Sequence, residues 1–190
     1  MVKYLVLLGA FISFLGIMRY VTATIRGFSK PNRVTWIMWS VAPMIATFAA
    51  LSKGVTWAVL PVFMSGFGPA LVVAASYFNK NAYWKISKFD LGCGFFSLLG
   101  IILCVITKDA NYAIIFAILS DFFAAIPTII KLWKYPETEN ISAFVGGIFS
   151  AITAFFAASS LSFSSVGFST YLIVVNVLMI FAYYKKKLLG

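Results

Sequence analysis

The sequence predicts an all-α membrane protein of seven transmembrane helices, arranged as two parallel three-helix repeats joined by a single linker helix. Three observations predict this. The 190 residues are 62% hydrophobic and only 11% charged, against roughly 25% charged in soluble domains. Seven apolar runs approach the length of about 20 residues needed to cross a bilayer core of roughly 30 Å. The three runs at one end of the chain share spacing and punctuation with the three at the other.

The first run, Tyr4 to Thr24, has only Lys3 ahead of it and no small-residue cleavage site behind it. It reads as a membrane span and not as a signal peptide. Val34 to Ser52 and Val55 to Tyr77 complete the first unit, and Phe89 to Ile106 stands alone as the linker. Ala110 to Ile130, Ile141 to Leu161 and Val166 to Tyr184 form the second unit. The expected divisions are therefore residues 1–80, 81–108 and 109–190.

Basic residues punctuate these runs on one side. Arg26, Lys30 and Arg33 follow the first, Lys80, Lys85 and Lys88 the third, Lys131 and Lys134 the fifth, and Lys185 to Lys187 the seventh. The net charge of +10 thus sets orientation and is not a nucleic-acid footprint. It predicts an N-terminus outside and a C-terminus in the cytoplasm, in the plasma or inner membrane. Cys93 and Cys104 fall in one predicted helix, about 16 Å apart along its axis, and cannot pair with each other. With no histidine and no Cys-x-x-Cys, no metal or other cofactor is expected.

The repeat is clearest at two hinge-like stretches. In Pro127 to Ser142 a proline near a helix end is followed by Lys131 and Lys134, which are expected at the water interface, then by an acidic and amide loop. Ser142 is placed to cap the next helix. Thr22 to Thr35 is a diluted copy: Arg26 lies opposite Lys131, Pro31 opposite Pro136 and, after a two-residue gap, Thr35 opposite Ser142. Phe48 then falls opposite Phe155 and Ala50 opposite Ala157. A three-helix unit ends on the side opposite its start, so one linker helix restores the orientation and makes the two copies parallel.

Pro127-Thr-Ile-Ile-Lys-Leu-Trp-Lys followed by Thr138-Glu-Asn-Ile-Ser142 resembles the PQ-loop motif of the SWEET, SemiSWEET and PQ-loop transporter superfamily. The resemblance covers most of the chain in architecture but only the second repeat in motif. It implies hinge roles for Pro127, for Pro43 in the second span, and for Thr22, which stands where the first repeat should have its proline. The glutamine of the pair is replaced by Thr128, and the sixth span carries no proline. Tyr171 to Leu178 is similar to the family's seventh helix, which implies that Asn176 faces the substrate. Its counterpart in the third span is missing, and Ser65 is the hydrogen-bonding residue expected to substitute for it. Phe156 falls where the family tends to carry a cavity tryptophan, whereas Trp36, Trp39 and Phe155 are expected to face lipid or the belt.

Asp121 lies midway through the fifth span, where a carboxylate costs about 2.5–3.5 kcal/mol. Two roles are open to it: a charge pair with Arg19, on the equivalent helix of the first repeat, or a proton-coupling site. Gly92, Gly94, Gly100, Gly146 and Gly147 are expected to admit close helix packing. Asp90 with Lys88, and Asp109 with Lys108, read as interfacial charges.

No intramembrane Ser-His pair, paired aspartates or His-Glu-x-x-His is present, so an enzyme is not expected. The expected activity is alternating-access transport of a small polar solute, with a sugar as the lead class. Proton-coupled transport of an amino acid or vitamin is the alternative, as is a non-transporting receptor or partner subunit on the same scaffold. The lipid bilayer is the expected surrounding, and assembly with further copies of the chain is left open.

Overall fold

The computed structural model describes residues 2–52, 60–158 and 160–188. Among these, all regular structure is helical, in seven α-helices: α1 (Val2–Ile25), α2 (Arg33–Ser52), α3 (Leu60–Phe78), α4 (Lys88–Ile106), α5 (Ala110–Lys134), α6 (Ser142–Phe156) and α7 (Phe163–Leu188). Four described segments are long and apolar enough to cross a membrane: Tyr4–Ile25, Lys88–Ile106, Asn111–Lys134 and Ser165–Lys185.

The expected end of the sixth run is corrected. Instead of continuing to Leu161, α6 ends at Phe156, and its 15 residues reach only about 22 Å, short of a roughly 30 Å hydrocarbon core. The small and polar segment after Phe156, Ala157 onward, does not sustain the helix. The seventh helix extends past Tyr184 to Leu188, and the fifth past Ile130 to Lys134.

Local chemistry sets the helix starts. Asn32 accepts from the backbone N–H of Val34 at 3.1 Å and Thr35 at 3.4 Å, which opens α2. Asn140 does the same for Ser142 at 2.9 Å. Asn32 and Asn140 thus make similar side-chain contacts ahead of α2 and α6, though the cap position of α6 is Ile141, which no side chain caps. Ser142 itself is not the cap: its hydroxyl donates to the Gly16 carbonyl of α1 at 2.8 Å.

Two carboxylates expected as interfacial charges are caps as well. Ser87 and Asp90 form a reciprocal capping box at the start of α4, and Asp109 accepts from Asn111 and Tyr112 at the start of α5. Arg33 closes the C-terminal end of α3, donating to the Ser76 hydroxyl at 2.9 Å and the Ser76 carbonyl at 2.7 Å, where a cation also suits the helix dipole.

Six helices pack in a ring in the order α1, α3, α2, α5, α7, α6 and back to α1, while α4 lies outside it against α5 and α2. In this ring α1 stands across from α5, α2 from α6 and α3 from α7. The tightest seam is α1 against α6, and it is lined by small residues. A Cβ on Gly16 would meet the Ser142 carbonyl oxygen at 2.3 Å, and one on Gly146 the Ser13 Cα at 2.9 Å. In lipid, where helix association rests on van der Waals contact, such close approach supplies the packing. Gly100 plays this part against Ser120, whereas Gly92 meets nothing within 4 Å and has no packing role.

The buried core occupies the half of the ring toward the end that carries Lys30, Lys131 and Lys185, termed the basic end. Tyr20, Trp36, Val72, Leu132, Phe144 and Met179 converge there from six different helices. The aromatic residues interlock, with Trp36 centred 4.7 Å from Tyr20 and 6.5 Å from Phe144.

Candidate functional site

Above this packed layer a partly open central cavity of about 180 Å³ is lined from all six helices of the ring. Ser13 and Ile17 contribute from α1, Trp36, Trp39 and Pro43 from α2, Met64, Ser65 and Pro69 from α3, and Asp121 from α5. Phe144, Gly147 and Ser150 on α6 and Phe168, Leu172 and Asn176 on α7 complete the wall. A second cleft of about 290 Å³ runs between α2, α4 and α5 and shares Trp39, Pro43, Asp121 and Phe168 with the first.

Asp121 is the only charged residue among those lining the cavity. Its carboxylate accepts a 2.7 Å hydrogen bond from the Tyr171 hydroxyl of α7. The Trp39 indole stands beside it, its N–H short of full hydrogen-bonding geometry with any group among the described residues. The Trp36 indole N–H is also buried without a partner.

Asn176 donates from Nδ2 back to the Leu172 carbonyl at 2.8 Å, and its Oδ1 lies against Gly147 with no hydrogen-bond partner among the described residues. A Cβ on Gly147 would come within 3.0 Å of that oxygen, so the glycine makes room for the amide. Ser65 also lines the cavity, donating to the Val62 carbonyl at 2.7 Å.

The structure thus brings Asp121, Asn176, Ser65 and Pro43 together at one cavity. It separates the others. Arg19 precedes the inward-facing Tyr20 and points from the opposite side of α1 into an open groove between α1 and α6, exposed to the surroundings. The expected Asp121–Arg19 pair is therefore not formed, because helical geometry turns neighbouring side chains about 100° apart. Thr22 lines the same outer groove and donates to the Met18 carbonyl at 2.8 Å, so it does not meet the cavity.

Phe156 is 70% exposed at the end of α6, stacked edge-on against Phe155 at 5.8 Å, and takes no part in the cavity wall. The aromatic lining comes instead from Trp36, Trp39, Phe144 and Phe168. Phe156→Ala is expected to shift stability by no more than about 0.5 kcal/mol, as for other surface changes, and thermal unfolding in detergent checks this.

Pro127 is buried in α5, one residue before Thr128, whose hydroxyl meets the Thr35 hydroxyl of α2 at 3.0 Å. One turn further, Lys131 is not at the water interface as expected. Its ammonium is buried, 2.6 Å from the Glu139 carboxylate, and also donates to the carbonyls of Lys30 and Thr138. The Tyr20 hydroxyl donates to the other oxygen of Glu139, and Trp84 lies under the ammonium at 4.7 Å. The Lys30 N–H donates to the Thr138 carbonyl at 2.9 Å, so the α1–α2 and α5–α6 connections are tied together over the basic end.

This hub was missed in the sequence, where Lys131 and Glu139 read as loop charges. The Asp121–Tyr171 bond joins residues 50 apart in sequence, and no local pattern marks it. Comparison with known proteins finds no relative, since no protein family, curated protein or solved structure matches the chain.

Proposed function

We propose that the chain is a membrane transporter or facilitator for a small polar solute, working by alternating access between a unit of α1–α3 and a unit of α5–α7. The observation that carries this reading is the cavity: it is lined from six helices, and a buried hub joins two loops at the basic end. The ring order maps onto itself when α1–α3 exchange with α5–α7, as two parallel three-helix repeats about one axis require. The similar Asn32 and Asn140 contacts support the same duplication, with α4 as the linker in residues 81–108.

In this reading the basic end faces the cytoplasm, and the described conformation is the one closed to it. Rocking the two units would break the Lys131–Glu139–Tyr20 hub and the Thr35–Thr128 contact, while Pro43 and Pro127, each lacking a backbone donor, give α2 and α5 their points of bending. The resemblance of Pro127 to Ser142 to the PQ-loop motif points to a sugar as one solute class. The cavity is small beside the roughly 300–1,000 Å³ pockets of drug-sized ligands, which favours a small solute.

Uptake into proteoliposomes from a panel of sugars, amino acids and amines tests the reading. At least one solute is expected to enter saturably, and Ser65→Trp, which fills the cavity from α3, is expected to slow that uptake roughly tenfold or more. Absence of flux for every solute by a folded, correctly inserted protein refutes transport and leaves a receptor on the same scaffold.

A further inference from the structure

We infer that the central cavity takes a solute carrying a small organic ammonium group, with Asp121 as its counter-charge; this rests on reading the cavity as the solute site. The charge distribution is the first ground. The chain carries a formal net charge of +10, yet neither lysine nor arginine lines this cavity among the described residues. Among the described residues Asp121 forms no ion pair; the one found there is Lys131–Glu139 at the basic end. The neutral Tyr171 hydroxyl donates to Asp121 at 2.7 Å, and the neutral Trp39 indole stands beside it. An ionised carboxylate at such depth lacks a cation, and a solute can supply one.

The second ground is the shape and chemistry of the adjoining wall. Trp36 and Trp39 meet edge-on with ring centres 5.3 Å apart, and Phe144 closes on Trp39 edge-on at 6.4 Å while lying stacked with Trp36. The three rings pack on one another, and Trp39 is the one that stands beside the carboxylate. Aromatic faces turned on a weakly hydrated cation are the usual means of recognising alkylated ammonium groups. A neutral sugar would leave the carboxylate without its counter-charge, so the favoured solute differs from the sugar class the motif implies.

The third ground is the set of open hydrogen-bonding positions. The Trp39 indole N–H, beside the carboxylate, and the Oδ1 of Asn176 both border this space, without a hydrogen-bond partner of good geometry among the described residues. They offer one donor and one acceptor to a polar substituent on the ammonium-bearing solute. Tyr171, by holding the carboxylate at one oxygen, leaves the other to the ligand.

The experiment is equilibrium dialysis of the purified full chain in detergent against radiolabelled choline and methylammonium. Competitors are glucose and the neutral carbon isostere of choline, in which a tert-butyl group replaces the trimethylammonium. At least one labelled ammonium is expected to bind, displaced by unlabelled ammonium roughly tenfold better than by the isostere. Asp121→Asn, which keeps the shape of the side chain, is expected to abolish that preference, and Asp121→Glu to retain part of it. Melting temperatures within a few degrees of the parent confirm that the variants are folded.

Equal competition by the isostere, an undiminished preference in Asp121→Asn, or no ammonium binding by the folded protein each overturns the inference. Saturable glucose flux accompanying such a result leaves the transport reading standing. Charge-dependent ammonium binding without flux of any solute has the reverse meaning: the site is right and the transport reading fails.

Discussion

Glu139→Gln is expected to destabilise the protein by about 3 kcal/mol, the lower end of the range for removing one partner of a buried ion pair. The substitution strands the Lys131 ammonium in a site where both side chains are almost fully buried. The Lys30 and Thr138 carbonyls and the Trp84 ring still face that ammonium, which is why the loss should stay near the lower end. The double variant Lys131→Met/Glu139→Gln removes the stranded charge and is expected to recover most of the loss. Thermal unfolding in detergent reads both effects.

The same variant tests whether the hub is a gate. In a background with Cys93 and Cys104 replaced by serine, Thr128→Cys reports from a position that is fully buried beneath the hub. Glu139→Gln should raise its labelling by a membrane-impermeant thiol reagent applied at the basic end, and solute binding from the other end should lower it. A protein that unfolds earlier but labels no faster has a structural ion pair there and not a gate.

Gly16→Ala is expected to cost about 3 kcal/mol, the upper end of the usual overpacking range, because the added methyl meets backbone. The Ser142 carbonyl oxygen lies 2.3 Å from the position of that methyl, and the Ser142 hydroxyl already donates to the Gly16 carbonyl at 2.8 Å. Neither can yield without parting α1 from α6. Gly92→Ala is the matched control: its methyl meets nothing within 4 Å, so it should be neutral or stabilising by up to about 1 kcal/mol through helix propensity. Equal melting temperatures for the two variants would show that the α1–α6 seam is not as close as described.

Much of the fold is legible in the sequence because a bilayer permits few solutions. Apolar runs of membrane-crossing length must become helices that satisfy their own backbone, so the starts and ends of α1, α4 and α5 fall within a few residues of those the runs predict. At the loops ahead of α2 and α6, Asn32 and Asn140 each accept from a backbone N–H two residues on. The length of α6 was misread because hydropathy alone does not register where small and polar residues cease to be helical.

The candidate site divides along a similar line. Asp121 and Asn176 stand out in the sequence, since a carboxylate or an amide within an apolar run must have a reason to be there. The direction in which a side chain faces is another matter. Arg19 and Phe156 point away from the cavity, while Trp36 and Trp39, which read as lipid-facing or belt residues, line it. An α-helix that is apolar on nearly every face gives no hydrophobic stripe from which to orient it.

By itself, then, the sequence determined the helical class, the position of most helices, the basic end and the presence of an expensive carboxylate. Those properties follow from local composition and from the cost of exposing polar groups to lipid. Only the tertiary structure decided that Tyr171 holds Asp121 with the Trp39 indole beside it, and that Lys131 and Glu139 are joined with Tyr20 over the basic end. These contacts join distant segments. They depend on helix rotation and on backbone approach at glycines such as Gly16, which no single run of residues encodes.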